Sequence, residues 1–393
     1  MSDDTGTALA EVPTGAHQSV QLGELREIEQ IRARNAAPRA RWWMWLFRVI
    51  RFEEVIILGL LALFVSAYLL VSGAPSLDSL ERAFTYNFHG HGTMWMFLLW
   101  CSIGTGALLL VAMLPLAGKG KARKLMHGVW GEATGPWARL RATLFWGLGG
   151  IRAYVPFLTC MGVYELNKRL IPAIRGDTLY DQLFAKWEYA LFGDLSAAIV
   201  HKWMHAGWIT TMIGWFGLTQ IDIHEAAYIS YVYAAPALAM ALWFLGRRTE
   251  FNRFMGALVI TGALAYIGYV LVPVVGPKYV FEGRWLEASP GALSFMDDIK
   301  ARNRDCFPSL HTAWTTLFLI ASWKGIRPLF WVYLPVGIAV YIATLYGGYH
   351  YFPDIIAGHI LAIFAWWSAK PLREWWERRA GKLPELELKQ ARV

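Results

Sequence analysis

Long uncharged runs, each about the length of one membrane crossing and separated by short basic stretches, constrain this chain more than any other feature. A helix needs roughly 20 mostly apolar residues to cross the hydrocarbon core. Eight runs meet that need, at approximately 53–73, 93–115, 149–171, 225–246, 254–276, 309–323, 328–347 and 353–369. The sixth is short, and the fourth contains Pro236. The expected fold is an all-α polytopic membrane protein with about eight transmembrane helices. Only 17% of the residues are charged, whereas a soluble domain carries about 25%. Many of the 21 tryptophans flank the runs, among them Trp42, Trp43, Trp45, Trp366, Trp367, Trp375 and Trp376. Aromatic belts at the membrane–water interface have this placement.

Charge placement orients the spans. Basic residues crowd five segments: before the first run, after the second, fourth and sixth, and in the C-terminal tail. Eight crossings put all five on one side, so the positive-inside rule predicts that both termini are cytoplasmic. The net charge of +8 is explained by these loops, and no nucleic-acid partner is expected. The organisation expected is a polar and basic cytoplasmic segment over 1–52, two helices over 53–115, a basic cytoplasmic loop over 116–148, a six-span core over 149–369 and a cytoplasmic tail over 370–393. Residues 1–38 are polar and do not read as a signal peptide. Cys101, Cys160 and Cys306 make no disulfide framework. Residues 179–219 mix Asp181, Lys186, Glu188 and Asp194 with aromatics. They are expected to be interfacial helices lying on the membrane, with a partial span near 206–219 as the alternative.

One loop on the opposite side breaks the charge bias. Residues 277–308 carry Lys278, Arg284, Lys300, Arg302 and Arg304. An anionic ligand is one reason for such a loop. It runs into Cys306-Phe307-Pro308-Ser309-Leu310-His311, where Pro308 favours a helix start. A helix N-terminus with a Ser309 hydroxyl suits a phosphate, and His311 sits beside it. A second cluster, Tyr349-His350-Tyr351-Phe352-Pro353-Asp354, opens the last run. Pro353 is tolerated only in a first turn, which fixes the cluster at a helix start. An aspartate that accepts from one imidazole nitrogen leaves the other free as a nucleophile. Between His311 and His350 the chain crosses twice, so the two histidines share a face.

The paired clusters resemble the motifs of the type 2 phosphatidic acid phosphatase superfamily. Its first motif, Pro-Ser-Gly-His, stands here as Pro308-Ser309-Leu310-His311. Its second, Ser-Arg followed by five residues, His, three residues and Asp, stands as Ala343-Thr344 followed by His350 and Asp354. Phe307–His311 and Ala343–Asp354 are most similar to the inositol phosphorylceramide synthase branch and its bacterial relatives, as is Val275-Gly276-Pro277-Lys278-Tyr279. The resemblance covers 149–369 and implies that His350 attacks phosphorus, Asp354 orients it and His311 is the general acid and base. It implies a phospholipid donor, a lipid hydroxyl acceptor such as ceramide, and a phosphohistidine intermediate, with no metal or cofactor. A lipid phosphate or polyprenyl diphosphate phosphatase is the alternative. The site would face the non-cytoplasmic side of a membrane, here a bacterial plasma membrane.

The chain departs from the superfamily at the phosphate clamp. Thr344 stands where the second motif has arginine, and Lys-x6-Arg-Pro is absent. Losing cations disfavours a dianionic monoester and suits a phosphodiester. Lys278, Arg284 and Arg304 are the remaining clamp candidates. Glu165 is a candidate contact for a polyol head group, because ionisable residues in spans are costly and often functional. Asn167 and Arg152 lie on the same run. Asp222, His224 and Glu225 read as a polar cap, a metal site or a hydroxyl contact. His201 and His205 are one turn apart but have no third ligand at a clear spacing. His359 is expected in a helix–helix hydrogen bond or behind Asp354. A transporter or a silent scaffold is the non-enzyme alternative, but the chain has no inverted repeat.

Overall fold

The computed structural model describes residues 50–72, 134–215, 217, 220–281 and 304–379. Among them are eleven helices and no strand. They are α1 (Phe52–Ser72), α2 (Pro136–Arg175), α3 (Asp181–Phe192), α4 (Ser196–Met204), α5 (Gly207–Gly214), α6 (Gln220–Phe244), α7 (Arg248–Leu271), α8 (Pro277–Val280), α9 (Leu310–Gly325), α10 (Arg327–Tyr346) and α11 (Phe352–Arg379). Six are long and apolar enough to cross a membrane: α1, α2, α6, α7, α10 and α11. The protein is an all-α polytopic membrane protein. The run expected at 93–115 lies outside the described residues.

Helix α9 has only 16 residues, about 24 Å of rise, which is less than the roughly 30 Å hydrocarbon core. It need not face lipid, because α6, α7 and α10 pack around it. Leu310 to Thr315, Leu317 to Leu319, Ala321 and Ser322 are all buried, and Thr316 and Ile320 between them are half-buried. Two helices run further than their apolar runs. Helix α2 begins at Pro136 and has 40 residues, with Pro156 and Pro172 inside it. Helix α11 reaches Arg379 with Pro371 inside it. Both extensions carry basic residues, which propagate a helix well although they end an apolar run.

Helix α1 packs on α2 and α7, and two ion pairs fix it. Glu54 takes both Nε and Nη2 of Arg152 at 2.8 and 2.9 Å. Glu53, 1% exposed, accepts from Arg373 Nη1 at 3.1 Å. The charge that stood out at Arg152 is thus a structural pairing between helices.

The segment between α2 and α6 folds as three short helices. Helices α3, α4 and α5 have 12, 9 and 8 residues, too short for a crossing. Helix α3 turns its two acids toward the protein. Asp181 and Glu188 are buried, while Leu183, Trp187, Leu191 and Phe192 are exposed. An ordinary surface helix turns its charges outward. This one turns Asp181 and Glu188 inward, where they have backbone partners, and leaves Lys186 exposed.

Candidate active site

Ser309 caps α9, with Oγ accepting from Thr312 N at 3.3 Å. Its own N–H donates to the Asp354 carbonyl at 3.1 Å, which ties the start of α9 to the start of α11. The approach is close. A Cβ on Gly358 would stand 2.6 Å from the Ser309 carbonyl oxygen, so only glycine lets the two helices meet. His311 occupies the first turn of α9.

The second histidine comes from the turn between α10 and α11. Thr344 O, at the end of α10, accepts from both Tyr349 N and His350 N at 3.2 Å. Asp354 stands in the first turn of α11, and its Oδ2 accepts from Tyr351 N at 2.8 Å. The same oxygen is 3.4 Å from His350 Nδ1, a long contact at the edge of hydrogen-bonding reach. Catalytic contacts are often loose before substrate binds. On its other side, His350 Nε2 lies 3.3 Å from His311 Nδ1 and 3.4 Å from Ser309 Oγ. Ser309, His350 and Asp354 are fully buried and His311 is 8% exposed. His311 stacks on Tyr228 and tilts against Tyr231, both with ring centroids at 4.3 Å. The structure therefore brings Ser309, His311, His350 and Asp354 together.

The loop after α7 forms one wall. An isolated bridge pairs Val274 with Asp305, just ahead of Cys306. Asp181 accepts from Gly276 N at 2.9 Å, from Val275 N at 3.2 Å and from Tyr351 OH at 3.1 Å. Glu188 accepts from Ser196 N at 2.9 Å, from Ser196 Oγ and from Phe352 N. Burial pushes both carboxyls above their ordinary range, against the pull of these donors. One short helix thus holds the loop before the site and the two residues that follow His350. Sequence reasoning missed both acids. Their signal was charge inside an otherwise apolar stretch, which read as an interface.

Gly276 has φ +111°, and a Cβ there would lie 2.7 Å from the Tyr349 carbonyl oxygen. Gly276→Ala therefore combines backbone strain with a clash against the residue before His350. It is expected to cost about 2 kcal/mol or more of stability, read as a lowered midpoint of chemical unfolding in detergent.

The other candidates separate. Lys278 N donates to Gly348 O at 2.9 Å, and its Nζ lies 5.4 Å from the Tyr349 ring centroid, so it borders the site. Arg304 points elsewhere, with Nη1 donating to Gly176 O and Nη2 3.6 Å from Asp177 Oδ1. Thr344 donates its hydroxyl to Tyr341 O at 2.7 Å, so its backbone, not its side chain, serves the histidine turn. Asn167 donates to Tyr266 O at 3.4 Å. His359 makes a helix–helix hydrogen bond to Thr316 Oγ1 at 2.9 Å. Arg284 and the side chains of Glu165, Asp222 and Glu225 lie outside the described residues. Among the described residues, Cys306, His350 and Asp354 offer donor atoms within 4.8 Å of one another and are the set able to hold a metal. Within that set, Cys306 already donates to Tyr349 O at 3.1 Å and Asp354 accepts from Tyr351 N. A cavity lined by Leu245, Arg247, Lys324 and Arg327 opens at the opposite end of α9, away from the histidines.

Fold and site together define a class: an all-α polytopic membrane protein with two histidines and an aspartate buried at one end of its helices. The family model described as the PAP2 superfamily, the type 2 phosphatidic acid phosphatases, matches residues 183–368. That match supports placing this part of the chain in the superfamily, and with it an enzymatic activity of the lipid phosphatase or phosphotransferase type. It begins inside α3 rather than at 149, so α1 and α2 stand outside it. No curated protein and no solved structure matches the chain.

Proposed function

We propose that the protein is a membrane phosphotransferase that moves a phospho-head group from a phospholipid to a lipid hydroxyl, in the manner of inositol phosphorylceramide synthases. The observation that carries this reading is the line Asp354–His350–His311. Nδ1 of His350 faces a carboxylate and Nε2 faces the second histidine, 3.3 Å away. An imidazole held this way keeps its Nδ1 proton on the carboxylate side and presents the Nε2 lone pair.

In the first step His350 Nε2 attacks phosphorus. The bond from phosphorus to the diacylglycerol oxygen breaks, and His311 gives that oxygen a proton. The phospho-head group stays on His350. In the second step the acceptor hydroxyl passes its proton to His311 and attacks phosphorus, and the phosphorus–nitrogen bond breaks. Water as acceptor makes the same steps a hydrolysis. Transfer is favoured by the burial of His350, Ser309 and Asp354, since a site closed to bulk water gives a lipid hydroxyl the advantage. It is also favoured by Thr344 in place of an arginine, which suits a monoanionic diester. The site is read as lying on the non-cytoplasmic side of a bacterial plasma membrane, with Lys278 at its rim as a clamp residue and no metal needed.

The test is an assay in detergent with EDTA, supplying phosphatidylinositol with ceramide, and phosphatidic acid separately. A phosphorylated ceramide product that depends on His350 is expected. Free inorganic phosphate from phosphatidic acid, with no transfer product, would make the protein a phosphatase instead.

A further inference from the structure

A second cluster of rings stands beside the histidine pair and takes no part in the steps above. His201 and His205, at the end of α4, stack on each other with centroids 4.2 Å apart. Both stack on Tyr346, at 5.2 and 5.8 Å. His224 of α6 stacks on Tyr346 at 4.0 Å. Four residues further along α6 is Tyr228, the ring on which His311 rests, so His224 and Tyr228 are neighbours on one helix face. Tyr346 itself closes α10, four residues before His350. The cluster therefore flanks the reacting pair without touching it through any described hydrogen bond.

His224 is the anomaly. It is 5% exposed, and neither ring nitrogen has a hydrogen-bond partner among the described residues. Buried polar groups are nearly always satisfied, and an orphan calls for an explanation. Burial first, then the neighbouring His205 and His201, lower its pKa to about 4, so the ring is neutral near pH 7. A neutral imidazole offers one donor and one acceptor. That pair does not suit a phosphate, which only accepts when ionised. It suits a hydroxyl, which both gives and takes. Nor does the cluster suit a metal: among the described residues the donor atoms that converge within 4.8 Å belong to Cys306, His350 and Asp354, not to these three histidines.

We propose that His224, with His201 and His205 at its mouth, is a hydroxyl-binding subsite that holds a substrate hydroxyl next to the His311–His350 pair. The hydroxyl belongs either to the polyol head group of the donor or to the acceptor lipid. This deepens the phosphotransfer reading and rests on it for the identity of the ligand. It also gives that reading a source of selectivity, because a site built to hydrogen-bond a hydroxyl rejects an analogue lacking it.

Native mass spectrometry of the detergent-solubilised full chain tests it with three lipids: phosphatidylinositol, ceramide, and phosphatidylcholine, whose head group has no hydroxyl. The variant is His224→Phe, which keeps a ring on Tyr346 and removes both nitrogens. Binding of one hydroxylated lipid is expected to weaken about tenfold, with phosphatidylcholine unchanged. His224→Gln restores a donor and an acceptor and should recover most of the loss, which a purely structural role would not do. Weaker phosphatidylinositol binding places the subsite on the donor head group, and weaker ceramide binding places it on the acceptor. Unchanged binding of both hydroxylated lipids, or an equal loss for all three, overturns the proposal. Turnover is scored separately. A binding difference without wild-type turnover sinks the transfer reading and leaves the subsite standing, whereas turnover without a binding difference does the reverse.

Discussion

Turnover in His350→Ala falls by at least about a thousandfold while the variant keeps wild-type helical content, because the substitution removes the nucleophile itself. His350 is fully buried and stands between Asp354 Oδ2 at 3.4 Å and His311 Nδ1 at 3.3 Å. His311→Ala is expected to lose a comparable factor, since the departing glycerol oxygen then leaves without its proton. The double variant should be little worse than either single one, because groups acting as a unit do not add. Asp354→Asn falls between these and wild type: it keeps an acceptor oxygen but loses the charge that favours the imidazolium-like transition state. Initial rates of phospholipid consumption, with circular dichroism as the fold control, read all four.

Asp181→Ala is the largest stability effect expected outside the histidines. The carboxylate is 1% exposed and accepts from Val275 N, Gly276 N and Tyr351 OH. Truncation leaves three buried donors without an acceptor, a loss of about 3 kcal/mol or more. It should also cost activity, because Tyr351 adjoins His350 and Gly276 touches the Tyr349 carbonyl. Asp181→Asn keeps one acceptor oxygen and should lose less than half as much. A pH dependence accompanies this. Burial raises the Asp181 and Glu188 carboxyls above the values of 3.8 and 4.5 that they take when unperturbed. The folded protein then holds protons that the unfolded chain has released. The contribution of these groups to stability is fully present below those ordinary values, and is lost as pH rises through the raised ones. Unfolding midpoints across that range should fall with rising pH in the wild type, and less steeply in Asp181→Asn and Glu188→Gln.

The sequence foretold what depends on long apolar periods and on local helix chemistry. The runs at 53–73, 225–246, 254–276, 309–323 and 328–347 became α1, α6, α7, α9 and α10, with ends displaced by up to six residues. Burial in lipid forces helix, and Pro308 and Pro353 mark where helices begin. Counting crossings placed His311 and His350 at one end before any geometry was known. The sequence did not reveal contacts between elements distant in the chain. Asp181 and Glu188 looked like interface charges because their partners, Gly276 and Phe352, lie far along the chain. His201 and His205 lacked a third histidine at any readable spacing, yet His224 joins them from another helix through Tyr346. Arg304 looked like a phosphate ligand from its place beside the first motif, but the bridge at Asp305 turns it toward Gly176. Gly276 was noticed for its resemblance, while its cause is the Tyr349 carbonyl oxygen that approaches it.

The most direct test of the central claim is to look for the bond it requires. Protein mixed with phosphatidylinositol in the absence of acceptor is quenched in alkali, where phosphohistidine survives, and its peptides are mapped by mass spectrometry. A phosphoinositol adduct is expected on the peptide containing His350, absent in His350→Ala and discharged when ceramide is added before the quench. An adduct on a different residue, or wild-type turnover in a His350→Ala protein with no adduct at all, would contradict it.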